Sequence, residues 1–281
     1  MFVKAYAKIN LYLDVIGKRE DGYHDLNMVM LPLELHDSIE IETSPVLSDC
    51  FITTDHVDLQ VAKFNLITKT VTEMKKRYGI KQNFIINVHK EIPISAGLGG
   101  GSSNSAAVIK AIKSLTKLKL DPEEEINLGT SLGADVPFCL ANQPAHVEGI
   151  GEKVTPIKLK KKFDVIIIKP SKGLSTRKVF ELADTLELDH SQIDDVITAL
   201  KTGDEDLLAK SMFNSLEKPS ISLVPEIQKM KDELKKAGFK MVLMSGSGSS
   251  VFALTSNHKL AVAKYREFDK KGYEVYLTRT L

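Results

Sequence analysis

The chain has 281 residues and a formal net charge of +1 at pH 7, with 43% hydrophobic and 27% charged residues. This length allows two modest domains or one large one, and a nearly neutral chain lacks the strong basic excess of a dedicated nucleic-acid binder. The two cysteines are isolated, which argues against a disulfide framework and a structural zinc site. The sequence shows no signal-peptide pattern and no apolar run of bilayer length, so no membrane partner is expected. We therefore expect a cytoplasmic globular protein.

The first predicted element is a long strand. From residue 3 to residue 15 apolar and polar residues alternate, which is the pattern of a strand with one buried face. Lys8 and Asn10 then lie side by side on the polar face, where a lysine is usually just solvated. After a turn, Tyr23 and His24 follow directly. Such a pair could stack on and hydrogen-bond a planar ring, although packing within the loop is the simpler interpretation.

The next segments predict a strand, a helix and another strand. Apolar alternation over residues 31–41 indicates a strand that is broken near residues 36–37. Apolar residues at helical spacing predict a helix over 65–78. Alternation returns over 84–90 and predicts the strand that leads into the central motif of the chain.

A glycine-rich loop, residues 93–105, joins this strand to an alanine-rich helix over 106–115. Glycines expose backbone N–H groups, and a helix N-terminus adds partial positive charge, so the loop predicts an anion pocket suited to a phosphate. A flexible linker is the alternative, but linkers are not normally seated between a strand and a helix.

Three familiar nucleotide-binding motifs do not fit this loop. No lysine follows the glycines as a Walker A loop requires, and Ser102 stands where the third glycine of a Rossmann fingerprint belongs. The His-Arg-Asp and Asp-Phe-Gly elements of protein kinases are absent from the sequence. The loop therefore belongs to another phosphate-binding design.

An aspartate follows the next predicted helix. Asp121 is the predicted N-cap of a helix that runs to Leu132, after which come Gly-Ala-Asp-Val-Pro. In that run Asp135 precedes Pro137, which is expected to forbid further helix. On its own, Asp135 is more simply a helix-end or turn residue than a catalytic one.

The second half of the chain predicts a split βαβ arrangement beyond a boundary near residues 149–162. Its predicted helices cover 175–186, 194–200, 205–213, 225–237 and 259–271, and its predicted strands cover 165–168, 241–244, 251–254 and 274–278. A second glycine-serine loop, residues 245–250, joins two of these strands. It is either a plain hairpin turn or a segment that closes over a ligand held by the first loop.

Together these segments resemble the GHMP kinases, the family of galacto-, homoserine, mevalonate and phosphomevalonate kinases. Residues 93–103 are similar to that family's ATP loop, and residues 245–250 resemble its C-terminal glycine motif. Further motifs resemble one branch of this family, at residues 7–11, 21–24, 65–67, 132–138 and 214–217. Members of that branch phosphorylate the 2-hydroxyl of a cytidine-diphosphate-linked methylerythritol in the non-mevalonate route to isoprenoid precursors. The sequence departs at Ser105, where relatives have alanine, and matches poorly over 45–61.

The resemblance implies an α+β fold of two domains. These are an N-terminal domain like ribosomal protein S5 domain 2 over residues 1–155, and a C-terminal ferredoxin-like domain over 156–281, with the active site in the cleft between them. It implies ATP and Mg²⁺, with unknown metal ligands, and a small-molecule substrate carrying a cytidine diphosphate group. The oligomeric state stays open, and no nucleic-acid partner is expected.

The resemblance also implies the site residues. Lys8 and Asp135 correspond to the catalytic pair. The nucleotide loop comprises Pro93, Ile94, Ser95, Ala96, Gly97, Leu98, Gly99, Gly100, Gly101, Ser102 and Ser103. The substrate is expected to contact Asn10, Tyr23, His24, Thr176, Phe180, Gly246 and Gly248. Two alternatives remain: a GHMP kinase of another small alcohol, such as mevalonate or homoserine, and a nucleotide-binding paralogue that does not catalyse.

Overall fold

The computed structural model describes residues 1–45, 49–55 and 66–281. In these residues the strands are β1 Phe2–Lys18, β2 His24–Ser44, β3 Phe51–Thr54, β4 Asn83–His89, β5 Ala145–Gly149, β6 Lys153–Pro156, β7 Asp164–Lys169, β8 Phe213–Asn214, β9 Met241–Met244, β10 Val251–Thr255 and β11 Glu274–Arg279. The helices are α1 Leu66–Tyr78, α2 Gly100–Thr116, α3 Pro122–Leu132, α4 Val136–Ala141, α5 Thr176–Ala183, α6 Asp194–Thr202, α7 Glu205–Ser211, α8 Glu217–Leu223, α9 Glu226–Lys236 and α10 His258–Lys270. None of the helices described is long and apolar enough to cross a membrane.

Contacts between residues divide the chain into two compact units, neither of which is continuous in sequence. The first unit contains residues 1–7, 35–92 and 99–142, and the second contains 8–34, 93–98 and 143–281. The neighbouring strands β1 and β2 contribute residues to both.

The first unit is a sheet backed by helices. The C-terminal half of β2 pairs antiparallel with β4, from Ser38 opposite His89 to Ser44 opposite Asn83, and β3 pairs parallel with β4. The inward side chains of β4, such as Phe84, are fully buried. Helix α1 buries Ile67, Val71 and Met74, the apolar side predicted from its spacing, and its Thr70 hydroxyl bonds that of Ser105 at 2.7 Å.

The second unit contains a four-stranded sheet in the order β11-β7-β10-β9, and every neighbouring pair is antiparallel. In chain order this is the arrangement 4-1-3-2, which is the predicted split βαβ pattern. The inner strand β7 is buried along Val165–Ile168, as expected for a continuous apolar run with packed faces. The same unit also holds β1 parallel to β8, and β5 antiparallel to both β2 and β6.

The prediction of a solvated polar face on β1 was wrong. Every residue from Ala7 to Val15 is buried, and Lys8 and Asn10 are 4% and 0% exposed. The polar face is covered in the folded chain, where the Tyr12 hydroxyl donates to the Ser191 carbonyl at 2.6 Å. Alternation of apolar and polar residues indicates a strand, but it cannot show that other parts of the chain cover the polar face as well.

The predicted break in β2 is also absent, because the strand runs unbroken through residue 37. Asp37 is fully buried and accepts hydrogen bonds from the backbone N–H groups of Glu91 and Ile92, each at 2.9 Å. It also accepts from the Asn104 side chain at 2.8 Å and forms an ion pair with Lys90. The charge inside an apolar strand is thus fully partnered, as burial requires.

Proline does not end helical structure at Pro137. It lies in the first turn of α4, a position where its missing N–H costs nothing. Helix α2 begins at Gly100 rather than at residue 106, so its first turn is made by the glycine loop itself. Helix α8 and the strands β3, β5, β6 and β8, all of them short, were not predicted from the sequence. Residue 65, the predicted start of α1, lies outside the described residues.

Candidate active site

The glycine loop ends in the N-terminus of a long helix that no side chain caps. Gly99 is the N-cap of α2 with φ +70°, and the first turn of the helix contains no acidic residue. Three or four backbone N–H groups at such an end have no partner within the helix. A Cβ placed on Gly101 would meet no heavy atom within 4 Å, so the space beside this turn is open. These are the features that a bound phosphate chain needs.

The loop is held on both sides by hydrogen bonds. In the first unit, the Ser103 hydroxyl donates to the Tyr6 carbonyl at 2.6 Å. In the second unit, the backbone N–H of Lys8 donates to the Leu98 carbonyl at 3.0 Å. Strand β1 therefore holds the glycine loop close to Lys8. This contact brings together the Lys8 motif and the glycine loop, which lie about ninety residues apart in the sequence.

The second glycine-serine loop, residues 245–250, packs against the first loop within the second unit. Gly97 accepts a hydrogen bond at its carbonyl from the Ser245 hydroxyl at 3.0 Å, and Ser250 donates its N–H to the Ala96 carbonyl at 3.3 Å. A Cβ on Gly97 would lie 2.0 Å from the Ser245 carbonyl oxygen. Only glycine permits this close approach of two backbones.

Lys8 and Asn10 lie where these two loops meet. The Lys8 ammonium donates to Asn10 Oδ1 at 2.8 Å. A Cβ on Gly246 would lie 3.1 Å from the Gly97 carbonyl oxygen, 3.3 Å from Lys8 Nζ and 3.5 Å from Asn10 Oδ1. The structure thus brings together the predicted catalytic lysine, a predicted substrate residue and one glycine from each loop.

Asp135 lies in the first unit, in the turn between α3 and α4. It is the N-cap residue of α4, but its side chain makes no capping hydrogen bond. Two residues earlier, a Cβ on Gly133 would lie 3.8 Å from Ser102 Oγ, so this turn packs beside the first turn of α2. The N-cap predicted for α3 is present, since Asp121 Oδ1 accepts from the Glu124 N–H at 2.8 Å.

His24 is held by helix α5 in the second unit. Its ring lies 4.7 Å from the Phe180 ring between centroids, at an interplanar angle of 34°. Its Nε2 atom lies 2.6 Å from Asp184 Oδ1, and Lys18 Nζ donates to the other oxygen of the same carboxylate at 2.5 Å. Tyr23 is 57% exposed, and no ring pair among the described residues includes it.

The remaining predicted substrate residues lie in or beside the second loop. The Thr176 hydroxyl bonds that of Ser247 at 2.9 Å. Gly246 and Gly248 have φ of +57° and +83°. The Cβ position of Gly248 is filled by the Met244 sulfur at 2.8 Å, so this glycine serves packing rather than an open space.

Three residues that contact the predicted site residues or their loops were not named as site residues from the sequence. Asn214 donates its side-chain amide to the carbonyls of Gly246 and Met244, at 2.8 and 3.0 Å, and so anchors the second loop. Asp37 fixes the residues that enter the first loop, and Asp184 contacts His24. The only sequence signal for Asn214 was its motif, and Asp37 stood out as a charge inside an apolar strand.

The described residues contain no group of three or more His, Cys, Asp or Glu side chains that could hold a metal ion. A metal cage built from such side chains is therefore absent from the described part of the chain. Mg²⁺ that is carried mainly by phosphate oxygens and water fits such a site, because this ion usually takes only one or two protein ligands.

Two family models match the sequence. The model described as the GHMP kinases N-terminal domain matches residues 65–143, and the one described as GHMP kinases C-terminal matches residues 196–274. Both models together include the helix N-terminus, Asp135 and the second glycine loop.

Curated relatives match over the full length. The chain is 41% identical to a 4-diphosphocytidyl-2-C-methyl-D-erythritol kinase of Clostridium kluyveri over 282 aligned positions, which cover 100% of both chains. It is 39% identical to the protein of the same name from Clostridium beijerinckii, again over 100% of both.

Solved structures give the same result for the fold. A crystal structure of 4-(cytidine 5′-diphospho)-2C-methyl-D-erythritol kinase superposes with a TM-score of 0.82 at 29% identity, covering 100% of this chain and 99% of the other. The homoserine kinase of Cytophaga hutchinsonii superposes with a TM-score of 0.76, covering 100% and 94% of the two chains, but at 18% identity it shows the fold alone.

Proposed function

Because this chain belongs to the GHMP kinases, we propose that it transfers the γ-phosphoryl group of ATP to the 2-hydroxyl of 4-diphosphocytidyl-2-C-methyl-D-erythritol. This reaction is a step in non-mevalonate isoprenoid precursor biosynthesis. Full-length relatives at about 40% identity carry the name of this kinase. The observation that carries the proposal is the buried Lys8, whose ammonium lies beside Gly246 of the second loop and whose backbone N–H donates to Leu98 of the first.

The uncapped N-terminus of α2 is proposed to hold the phosphate chain. Backbone N–H groups between Gly97 and Ser103 would donate to phosphate oxygens, and the helix dipole would favour their negative charge. Mg²⁺ would neutralise part of this charge while it is carried by the phosphates. The glycines at 99, 100 and 101 keep side chains out of the space that the phosphates need.

Asp135 is proposed as the general base. Its carboxylate would accept the proton of the substrate 2-hydroxyl as that oxygen bonds to the γ-phosphorus and the bond to the leaving ADP oxygen breaks. Lys8 would orient the reactants and stabilise the negative charge that moves in this step. Asn10 holds the lysine ammonium in place at 2.8 Å.

The substrate's cytosine is proposed to lie against Tyr23 and Phe180 and to hydrogen-bond His24. The exposed Tyr23 ring offers a face for stacking, and the His24 ring is already oriented. Thr176 and Gly246 would line the path to the reacting hydroxyl, and Gly248 would contribute only its backbone there, because its Cβ position faces Met244. Replacing His24 by Ala should raise the KM for the cytidine substrate far more than the KM for ATP.

A single assay separates the proposed reaction from its alternatives. ADP release is measured with the cytidyl substrate, with mevalonate and with homoserine, at the same ATP concentration. We expect turnover with the cytidyl substrate alone. Turnover with another alcohol would replace the proposed acceptor, and ATP binding without turnover would indicate a non-catalytic paralogue. The domain boundary near residue 155 and a cytoplasmic location stay predictions.

A further inference from the structure

One helix holds the His24 imidazole at two places. Phe180 and Asp184 are four residues apart at the end of α5, so they lie on the same side of the helix. Phe180 lies against the face of the imidazole, with 4.7 Å between ring centroids, while Asp184 Oδ1 lies at its edge, 2.6 Å from Nε2. With both contacts made, the ring can neither flip nor slide freely.

The carboxylate of Asp184 is ionised at neutral pH. Its pKa is held below the ordinary value, first by the hydrogen bond from the Lys18 ammonium and then by the one with His24. An ionised carboxylate can only accept hydrogen bonds. The imidazole nitrogen that faces it must therefore carry a proton, which assigns N–H to Nε2. In an imidazole with a single N–H, Nδ1 is then the acceptor.

Helix stability does not explain an aspartate at this place. Asp184 is the C-cap residue of α5, where the helix dipole disfavours a negative charge. Its ion pair with Lys18, whose side chain is 56% exposed, lies at the surface, and surface ion pairs contribute little to folding stability. The contact with His24, whose side chain is only 10% exposed, explains better why an aspartate stands at this position.

We propose that Asp184 is a positioning residue that fixes His24 in the Nε2–H tautomer, so that Nδ1 accepts a hydrogen bond from the exocyclic amino group of cytosine. The inference rests on the proposed function and deepens it. Uracil has a carbonyl oxygen where cytosine has this amino group, and two acceptors cannot bond each other. The Asp184–His24 pair thus gives the site a reason to select cytidine over uridine substrates.

The test compares Asp184→Asn with Glu181→Gln. Both change a carboxylate of the same helical segment to an amide, but Glu181 pairs only with the exposed Arg177 in the described residues. The first measurement is nitrogen NMR of the His24 ring, which reports the tautomer without any turnover. The wild type and Glu181→Gln should show Nε2–H, whereas Asp184→Asn should show a mixture. Asp184→Glu, which keeps an acceptor, should restore the wild-type signal.

Kinetics give the second measurement. With Asp184→Asn the KM for the cytidyl substrate should rise about tenfold, the effect of roughly one hydrogen bond, while the KM for ATP stays within about twofold. The preference over the uridine analogue should fall by a similar factor. An Asp184→Asn protein with unchanged tautomer and preference overturns the inference. A wild type that does not phosphorylate the cytidyl substrate overturns the proposed function instead, while the NMR comparison still decides the tautomer.

Discussion

Asp135 begins α4 without capping it, and this gives the proposed base a clean test. Asp135→Asn keeps the size of the side chain but removes its ability to take a proton. Turnover should fall by about 10²–10⁴-fold, the usual contribution of a positioned base. The affinity for a non-hydrolysable ATP analogue, measured by calorimetry, should stay within about threefold of the wild type.

Asp121→Asn is the matched control, because asparagine is an equally good N-cap for α3. It should leave turnover unchanged. Near-normal turnover in Asp135→Asn would remove Asp135 from the role of base.

Lys8 is the buried cation of the proposed site, and its loss should separate activity from stability. Lys8→Met keeps the length of the side chain without the charge, so turnover should fall by about 10²–10³-fold if the ammonium stabilises the transition state. The free energy of unfolding should fall by no more than about 1–3 kcal/mol, because Asn10 Oδ1 loses its donor while the cost of burying a charge is removed. The measurements are kcat and the midpoint of urea unfolding.

Lys4→Met, an exposed change on the same strand, is the control for Lys8→Met and should alter neither quantity. A Lys8→Met protein with wild-type kcat would show that the ammonium has no catalytic role.

The sequence named candidate site residues but did not predict the surroundings of their side chains. The family motifs pointed to Lys8, Asn10 and His24, yet none of them indicated that Lys8 is buried. Asp184 could not be found, because its contact with His24 spans 160 residues and no local pattern encodes such a pairing. Side-chain partners of this kind depend on tertiary packing, which propensity does not report.

The two glycine loops depend on each other, and Gly97 is the residue that allows it. Gly97→Ala would place a methyl group 2.0 Å from the Ser245 carbonyl oxygen, at a residue whose φ is +74°. We expect the free energy of unfolding to fall by about 2 kcal/mol or more, because backbone atoms cannot yield to the clash. Urea denaturation measures this.

Gly17→Ala is the control for this substitution, since no heavy atom lies within 4 Å of its Cβ position. Its stability should stay within about 0.5 kcal/mol of the wild type. Equal effects of the two substitutions would mean that the loops do not support each other.

The first turn of α2 allows stability and nucleotide binding to be separated. Gly101→Ala adds a methyl group in open space within a helix, so stability should be kept or increased by up to about 1 kcal/mol. If phosphates occupy that space, the KM for ATP should rise about tenfold, the effect of roughly 1.4 kcal/mol of lost contact. Steady-state kinetics at saturating acceptor measure it, and an unchanged KM would place the phosphates elsewhere.

Elements with a strong period were predictable, and short or anomalous ones were not. The helix capped by Asp121 and the strands of the four-stranded sheet follow from spacing and turn residues. Strand β2 was predicted as broken near residues 36–37, and it continues because the buried Asp37 carboxylate is partnered by Lys90, Asn104 and two backbone N–H groups. Helix α8, seven residues long, has too few turns to show a period.

For the whole molecule, the two compact units are each assembled from three separate pieces of the chain. Residues 93–98 of the nucleotide loop belong to the second unit and residues 99–103 to the first. A domain boundary inferred from composition cannot represent such interleaving, because composition locates only one position at which the residue types change. The resemblance to the family motifs predicted the fold, because those motifs are spread over nearly the whole chain.

The central claim is that the product carries a new phosphate on the 2-hydroxyl of the methylerythritol unit. That carbon bears a methyl group and no hydrogen, so its phosphomonoester shows no splitting by a carbon-bound proton. Proton-coupled ³¹P NMR of a reaction with ATP and the cytidyl substrate should therefore show one unsplit phosphomonoester signal, which grows in step with ADP. A phosphomonoester signal that is split by protons, or ADP formed without any such signal, would contradict the account.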